Sequence, residues 1–114
     1  MPRQEHAFSG YKSMWLIAMF DLPTKTKNER KIYTGFRKTL LEHGFTMIQF
    51  SVYVRFCGSE ELAHKHRTAI RNALPERGHV RILTLTDRQF EKMENYVGKL
   101  HNPNENAPRQ LTFF

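Results

Sequence analysis

The twelve residues FTMIQFSVYVRF (45–56) decide how this chain folds. They alternate without a break. Ile48, Phe50, Val52, Val54 and Phe56 share one face of an extended chain, and Met47, Gln49, Ser51, Tyr53 and Arg55 share the other. The letters fit one long strand. They fit equally well two short strands joined by a tight turn near Gln49 to Ser51, and the topology of the whole domain turns on that difference.

Working upstream, residues 11–20 predict a strand that is apolar on both faces from Trp15 to Phe20, as in a central strand covered on each side. Asp21 ends it, and Leu22-Pro23 stops the run. Thr26 and Glu29 form a Thr-x-x-Glu capping box. Ile32, Tyr33, Phe36, Leu40 and Leu41 then recur at helical spacing, and Gly44 after His43 supplies the stop. Downstream, Ser59 caps a second helix with Glu60 and Glu61 in its first turn and Leu62, Ala63, Ile70, Ala73 and Leu74 expected inward. Residues 80–86 predict another strand, and Thr86 with Gln89 repeats the capping box before a short helix carrying Phe90, Met93 and Val97. Residues 1–12 read as an N-terminal arm, 13–101 as the folded domain, and 102–114 as a linker ending in a short strand, QLTFF (110–114).

Strand, helix, one or two strands, helix, strand is an order that demands right-handed crossovers. If residues 45–56 are split, the result is an α+β fold, a ferredoxin-like βαββαβ sandwich with both helices on one side of the sheet. The helix-free side is then expected to carry Gln49, Ser51, Tyr53 and Arg55. Such a face is too amphipathic for solvent and too polar for a core, so packing against a second copy in a two-fold homodimer is expected there.

Eighteen Lys and Arg against eleven Asp and Glu give the 114-residue chain a net charge of +7. That balance suits a polyanion, nucleic acid above an anionic membrane surface. No apolar run approaches the roughly 18 residues of a spanning helix, and Lys12 to Phe20 is too short and wrongly flanked for a signal peptide. The lone Cys57 leaves no internal disulfide and no cysteine-based zinc site. A cytoplasmic location with no membrane partner is expected.

Asp21 stands at the C-terminal end of the first strand, the edge where ligands gather in sheets with helical crossovers. Thr26 already caps the helix, so the acid is not needed for that. One carboxylate is a poor magnesium site, but in a homodimer with Asp21 near the axis two copies would share the metal. Lys25, Lys27, Arg30 and Lys31 cluster just past it, and Arg77 stands before the last main strand; these are candidate phosphate contacts, which give affinity without reading sequence. Glycine-rich phosphate loops, nucleophile elbows and Ser-His-Asp spacings are missing. An RNA-recognition motif is excluded too, because its Lys/Arg-Gly-Phe-Gly/Ala-Phe-Val pattern is absent.

The strand ending in MFDLP, the basic helix start TKNERK and GFTMIQFSVYVRF together resemble the Cas2 family of CRISPR-associated proteins. Gly44, Gln49, Ser51, Val52 and Tyr53 match that family's pattern after the first helix, and FDLPT leans towards members found beside type II systems. The resemblance covers residues 13 onward. It implies a ferredoxin-like protomer, a two-fold dimer and a divalent metal, Mg²⁺, between the two copies of Asp21. It further implies nuclease activity, on RNA in some members and on double-stranded DNA in others, and a role in spacer acquisition in which the dimer bridges CRISPR integrase subunits and carries DNA. Many members place further acids just after the first, where this chain has Leu22-Pro23-Thr24. Two readings follow. One is a dimeric double-stranded DNA-binding scaffold with metal-dependent endonuclease activity as a secondary property; the other is primarily a Mg²⁺-dependent endoribonuclease. In either, the resemblance implies Asp21 holding the metal, with Tyr53 or Ser51 shaping the catalytic site.

Overall fold

A computed structural model describes residues 13–98. Its strands are β1 (Met14–Asp21), β2 (Thr46–Gln49), β3 (Val52–Cys57) and β4 (His79–Thr86), and its helices are α1 (Lys27–Glu42), α2 (Glu60–Asn72) and α3 (Asp87–Glu91). The sheet order is β2-β3-β1-β4, with every neighbouring pair antiparallel. β1 and β2 therefore run parallel to one another across β3, and β3 and β4 across β1. Two interlocked crossovers of this kind make a ferredoxin-like α+β fold.

Residues 45–56 do split. A turn takes Phe50 and Ser51, and Ser51 sits at φ +62°, the left-handed region that costs a residue with a Cβ about 1 kcal/mol. Two contacts hold it there. The Ser51 carbonyl accepts from the Phe20 N–H at 3.1 Å, and its hydroxyl shares a 2.8 Å hydrogen bond with the Tyr33 hydroxyl.

The helix starts form as the capping signals predict. Thr26 Oγ1 accepts from the Glu29 N–H while the Glu29 carboxylate accepts from the Thr26 N–H. Thr86 and Gln89 repeat the arrangement, and Ser59 Oγ accepts from the Leu62 N–H. Caps of this type are worth about 1 kcal/mol each. Gly44, at φ +83°, ends α1 just after its His43 cap. β1 runs to Asp21, one residue beyond the expected end. Tyr11, Lys12, the N-terminal arm, the linker and QLTFF lie outside the described residues.

Along β3 the two faces are the reverse of the expectation, whereas Phe50, in the turn, keeps to the helix side against Tyr33. Tyr53 is 1% exposed and joins Leu16, Ala18, Phe20, Phe36, Leu40 and Ile70 in the main core between sheet and helices. Val52, Val54 and Phe56 look to the helix-free side instead. The register explains the choice: Tyr53 lies opposite Ala18, and a large ring fits the helix-facing layer because its cross-strand neighbour is small. Arg55 follows it onto the helix side, where Nε donates to the His43 carbonyl at 2.9 Å. A register shift between Met47 and Gln49 breaks the strict alternation in β2. Leu74, expected inward, is exposed because it lies past the α2 cap at Ala73; His66, three residues after Ala63 on the buried stripe, points inward in addition to Ala63 and Ile70.

α3 folds back over one end of the helix-free side. Phe90 stacks on Trp15 at 3.8 Å and 7° between planes, and Trp15 Nε1 donates to Asp87 Oδ1 at 2.6 Å. A second cluster of Ile17, Val54 and Phe90 forms beneath it. The rest of that side is open, with Leu83 at 47% and Phe56 at 44% exposure.

Candidate functional site

Asp21 shares the parity of Trp15, Ile17 and Met19 along β1, so its carboxylate belongs to the helix-free side, at the end of the sheet that α3 leaves open. It is exposed, and it is the only acidic residue in any of the four strands. His79 lies directly opposite it on β4, and Arg81 lies opposite Met19 on the same side. The chain enters β4 pressed against the backbone of this acid. A Cβ at Gly78 would lie 2.7 Å from the Asp21 carbonyl oxygen and 2.7 Å from Leu22 Cδ2, and the residue has φ +96°. Only glycine satisfies both conditions.

The cations around it divide into two kinds. Arg30 closes the β1–α1 loop: its Nη1 donates to the Thr24 carbonyl at 3.2 Å and the Lys25 carbonyl at 2.9 Å. Arg77 reaches Glu29 at 3.7 Å, although it is itself largely exposed. Glu29 is held below its ordinary carboxylate range first by the hydrogen bond from the Thr26 N–H; burial opposes this, and the Lys25 N–H and the Arg77 charge add to the lowering. Lys25, Lys27 and Lys31 are exposed, and their ammonium groups meet no carboxylate among the described residues. These lysines, with the remaining donors of Arg30 and Arg77, are what the site offers to phosphate.

Of the other basic residues, Arg67 is engaged within the fold, paired with Glu60 at 2.7 Å and bonded to Thr84 Oγ1 at 3.0 Å.

The comparisons with known proteins agree with one another. A family profile described as CRISPR associated protein Cas2 matches residues 14–93. A protein of Flavobacterium psychrophilum named "CRISPR-associated endoribonuclease Cas2" is 48% identical over 104 residues, covering 91% of this chain and 90% of the relative. One of Parvibaculum lavamentivorans with the same name is 52% identical over 101 residues, 89% of this chain and 100% of the relative. A third, from Paracidovorax avenae, is 45% identical over 106 residues, 93% of this chain and 98% of the relative.

This chain belongs to the CRISPR-associated Cas2 family.

Within this Cas2-family fold the three residues expected to form the catalytic site occupy different layers. Asp21 is on the open side of the sheet, Tyr53 is in the core under the helices, and Ser51 is 9% exposed in the β2–β3 turn, tied to Tyr33. Ser51 and Asp21 are nonetheless close along the backbone, since the Ser51 carbonyl bonds the N–H of Phe20, the residue before Asp21. Tyr53 contributes rigidity: it stacks on Phe20 at 5.6 Å, one residue from the acid. His79 was invisible to motif reading, because only strand register puts it beside Asp21. Phe50, which in the sequence is one of the strand aromatics, stands in the turn and is 76% exposed.

A single protomer does not satisfy a metal. No group of three or more His, Cys, Asp or Glu side chains able to hold an ion occurs among the described residues. Asp21 and His79, opposed across β1 and β4, fall short of a complete donor set. No helix among the described residues is long and apolar enough to cross a membrane.

Proposed function

We propose that this Cas2-family protein is a homodimeric, Mg²⁺-dependent endoribonuclease whose cleavage site is built from the two copies of Asp21. The observation that carries the reading is the isolation of that carboxylate. It is the sole acid of the sheet, exposed on the apolar, helix-free side beside His79, and the loop and helix that follow it carry lysines that pair with no carboxylate among the described residues. Packing that side against a second copy would remove Leu83, Phe56 and Met19 from water and bring the two acids towards a common axis. The curated relatives carry the name endoribonuclease, which supports RNA as the first substrate to test.

Two carboxylates brought together repel, and a shared cation relieves the repulsion. Magnesium held there would supply Lewis-acid polarisation of the phosphodiester. The protein's own residues would do the rest. Lys25, Lys27 and Lys31 bind the flanking phosphates, Arg30 fixes the loop that carries Lys25, and Gly78 lets β4 lie close enough to hold Asp21 in place. The lone Cys57, fully buried, and the absence of any cysteine partner suit a reducing cytoplasm.

The exposed lysines support a second reading, a dimeric scaffold that binds double-stranded DNA and bridges CRISPR integrase subunits. One experiment separates the two. Purified full-length protein and Asp21→Asn are assayed on single-stranded RNA and double-stranded DNA, with Mg²⁺ and with EDTA. The endoribonuclease reading expects RNA cleavage that Asp21→Asn or EDTA abolishes while the fold is retained. No cleavage under any divalent metal, with DNA affinity falling about a thousandfold between 50 and 200 mM salt, would replace it with the scaffold.

A further inference from the structure

The rim of the sheet beside Asp21 carries an aromatic side chain that the fold displays rather than buries. Phe50 is 76% exposed at the tip of the β2–β3 turn. Its ring lies nearly parallel to that of Tyr33, at 5.9 Å and 16°. Tyr33 contacts Phe20 at 5.6 Å, and Phe20 contacts Tyr53 at 5.6 Å and Phe36 at 5.1 Å. Phe50 is thus the outermost ring of a continuous series that begins in the core. One face is backed by Tyr33, and most of its surface is left to solvent.

Phe50 is set apart from Ile32, Leu74 and the other exposed apolar side chains by the ordered ring behind it and by the constrained turn that carries it. The surroundings hold the ring in place. Ser51, next in the chain, is fixed by the hydrogen bonds to Tyr33 and Phe20, which limits how far the turn can move. On α1, Arg30 and Arg37 stand three before and four after Tyr33 and therefore share its side of the helix. Arg30 Nη1 is engaged by the β1–α1 loop, which leaves its other donors and Arg37 on that side of the helix. A flat, backed aromatic face beside such a basic helix side suits an unpaired nucleobase with its phosphates.

We infer that Phe50 is a stacking platform for one base of single-stranded RNA, next to the phosphodiester that the Asp21 site receives. The inference rests on the endoribonuclease reading for its substrate, and not for its geometry. Asp21 and Phe50 each adjoin one partner of the Phe20–Ser51 hydrogen bond, the acid on the helix-free side and the ring on the helix side. RNA crossing the rim would meet both. Duplexes, whose bases are already stacked, would meet only the cations.

The test is the affinity of full-length protein for a fluorescein-labelled short polyuridylate in EDTA, where cleavage is prevented. Stacking of one base predicts that Phe50→Ala weakens binding about tenfold, that Phe50→Leu does the same, and that Phe50→Trp restores it. Affinity for double-stranded RNA should change less than twofold, and sedimentation should show the same oligomeric state for every variant. Equal affinity for single strands across the variants, or full rescue by leucine, would overturn the inference. So would dissociation of the oligomer by Phe50→Ala, which would assign the ring to a contact between copies. A Phe50 effect in a protein that cleaves nothing would keep the platform and remove only the endoribonuclease reading; cleavage with no Phe50 effect would do the opposite.

Discussion

Asp21 and His79 face each other across β1 and β4 on the helix-free side of the sheet, the last residue of one strand against the first of the other. Directly opposed side chains of this kind interact, and like charges there are destabilising. His79→Asp would set a second carboxylate against Asp21 within one protomer. The metal-free variant should lose up to about 1 kcal/mol of stability, and Mg²⁺ should restore it. The check is thermal unfolding with and without the metal, beside the metal concentration for half-maximal cleavage, which should fall. A variant indifferent to Mg²⁺ in both measurements would mean that this corner of the sheet does not take the ion.

The apolar part of the helix-free side should be the surface between copies. Leu83 is 47% exposed there and lies opposite Ile17. Leu83→Glu would place a charge in that surface without touching the main core. Sedimentation should show a dimer for the unmodified chain and a monomer for the variant at micromolar concentration, with unchanged far-ultraviolet circular dichroism. Cleavage should disappear together with the dimer, because each Asp21 would lose its copy. A monomeric unmodified chain would refute the proposal outright.

Glu29 links pH to stability at the start of α1. Its carboxyl is held below the ordinary value of 4.5, first by the hydrogen bond from the Thr26 N–H. Because the folded state favours the ionised form, the contribution is present above pH 4.5 and is lost as pH falls through the lower folded value. Glu29→Gln keeps a side chain able to complete the capping box and removes the titration. Denaturant unfolding from pH 6 down to 3 should show a shallower acid limb for the variant. Identical limbs would place the acid sensitivity elsewhere.

Tyr53 should behave as a core residue. At 1% exposure, against Leu16, Phe20 and Leu40, its truncation to Ala should cost about 3–5 kcal/mol. Loss of cleavage in Tyr53→Ala would then report unfolding. Tyr53→Phe keeps the ring and should keep cleavage, with stability lowered by about 1 kcal/mol or less. If Tyr53→Phe is as stable as the unmodified chain yet inactive, the hydroxyl has a chemical role that its burial does not suggest.

Capping residues made the helices legible because Thr26-Glu29 and Thr86-Gln89 act within four residues of chain. The split of 45–56 was legible as an alternative for the same reason: a turn is local. Which face Tyr53 takes was not, since that depends on Ala18, thirty-five positions away, leaving room across the strand pair. Asp21 was recognisable as a candidate from its isolation at a strand end. His79 required the β1–β4 register, and Arg30 and Arg77 required knowing which acceptors stand nearby. Charge counted along a sequence does not tell a cation committed to a loop from one open to phosphate.

The position of β1 between β3 and β4 has a consequence for synthesis of the chain. Its eight residues leave the ribosome first among the strands, yet its partner on one side, β4, begins only at His79. Until then Trp15, Leu16, Ile17, Met19 and Phe20 lack one flanking strand, and the nascent chain carries an apolar segment with an open edge of backbone donors and acceptors. Asp21, the charged last residue of that segment, and the cations that follow it would then act as solubilising flanks before they serve any substrate. Pausing or truncation before residue 79 should therefore yield chaperone-bound or aggregated product rather than a smaller folded domain.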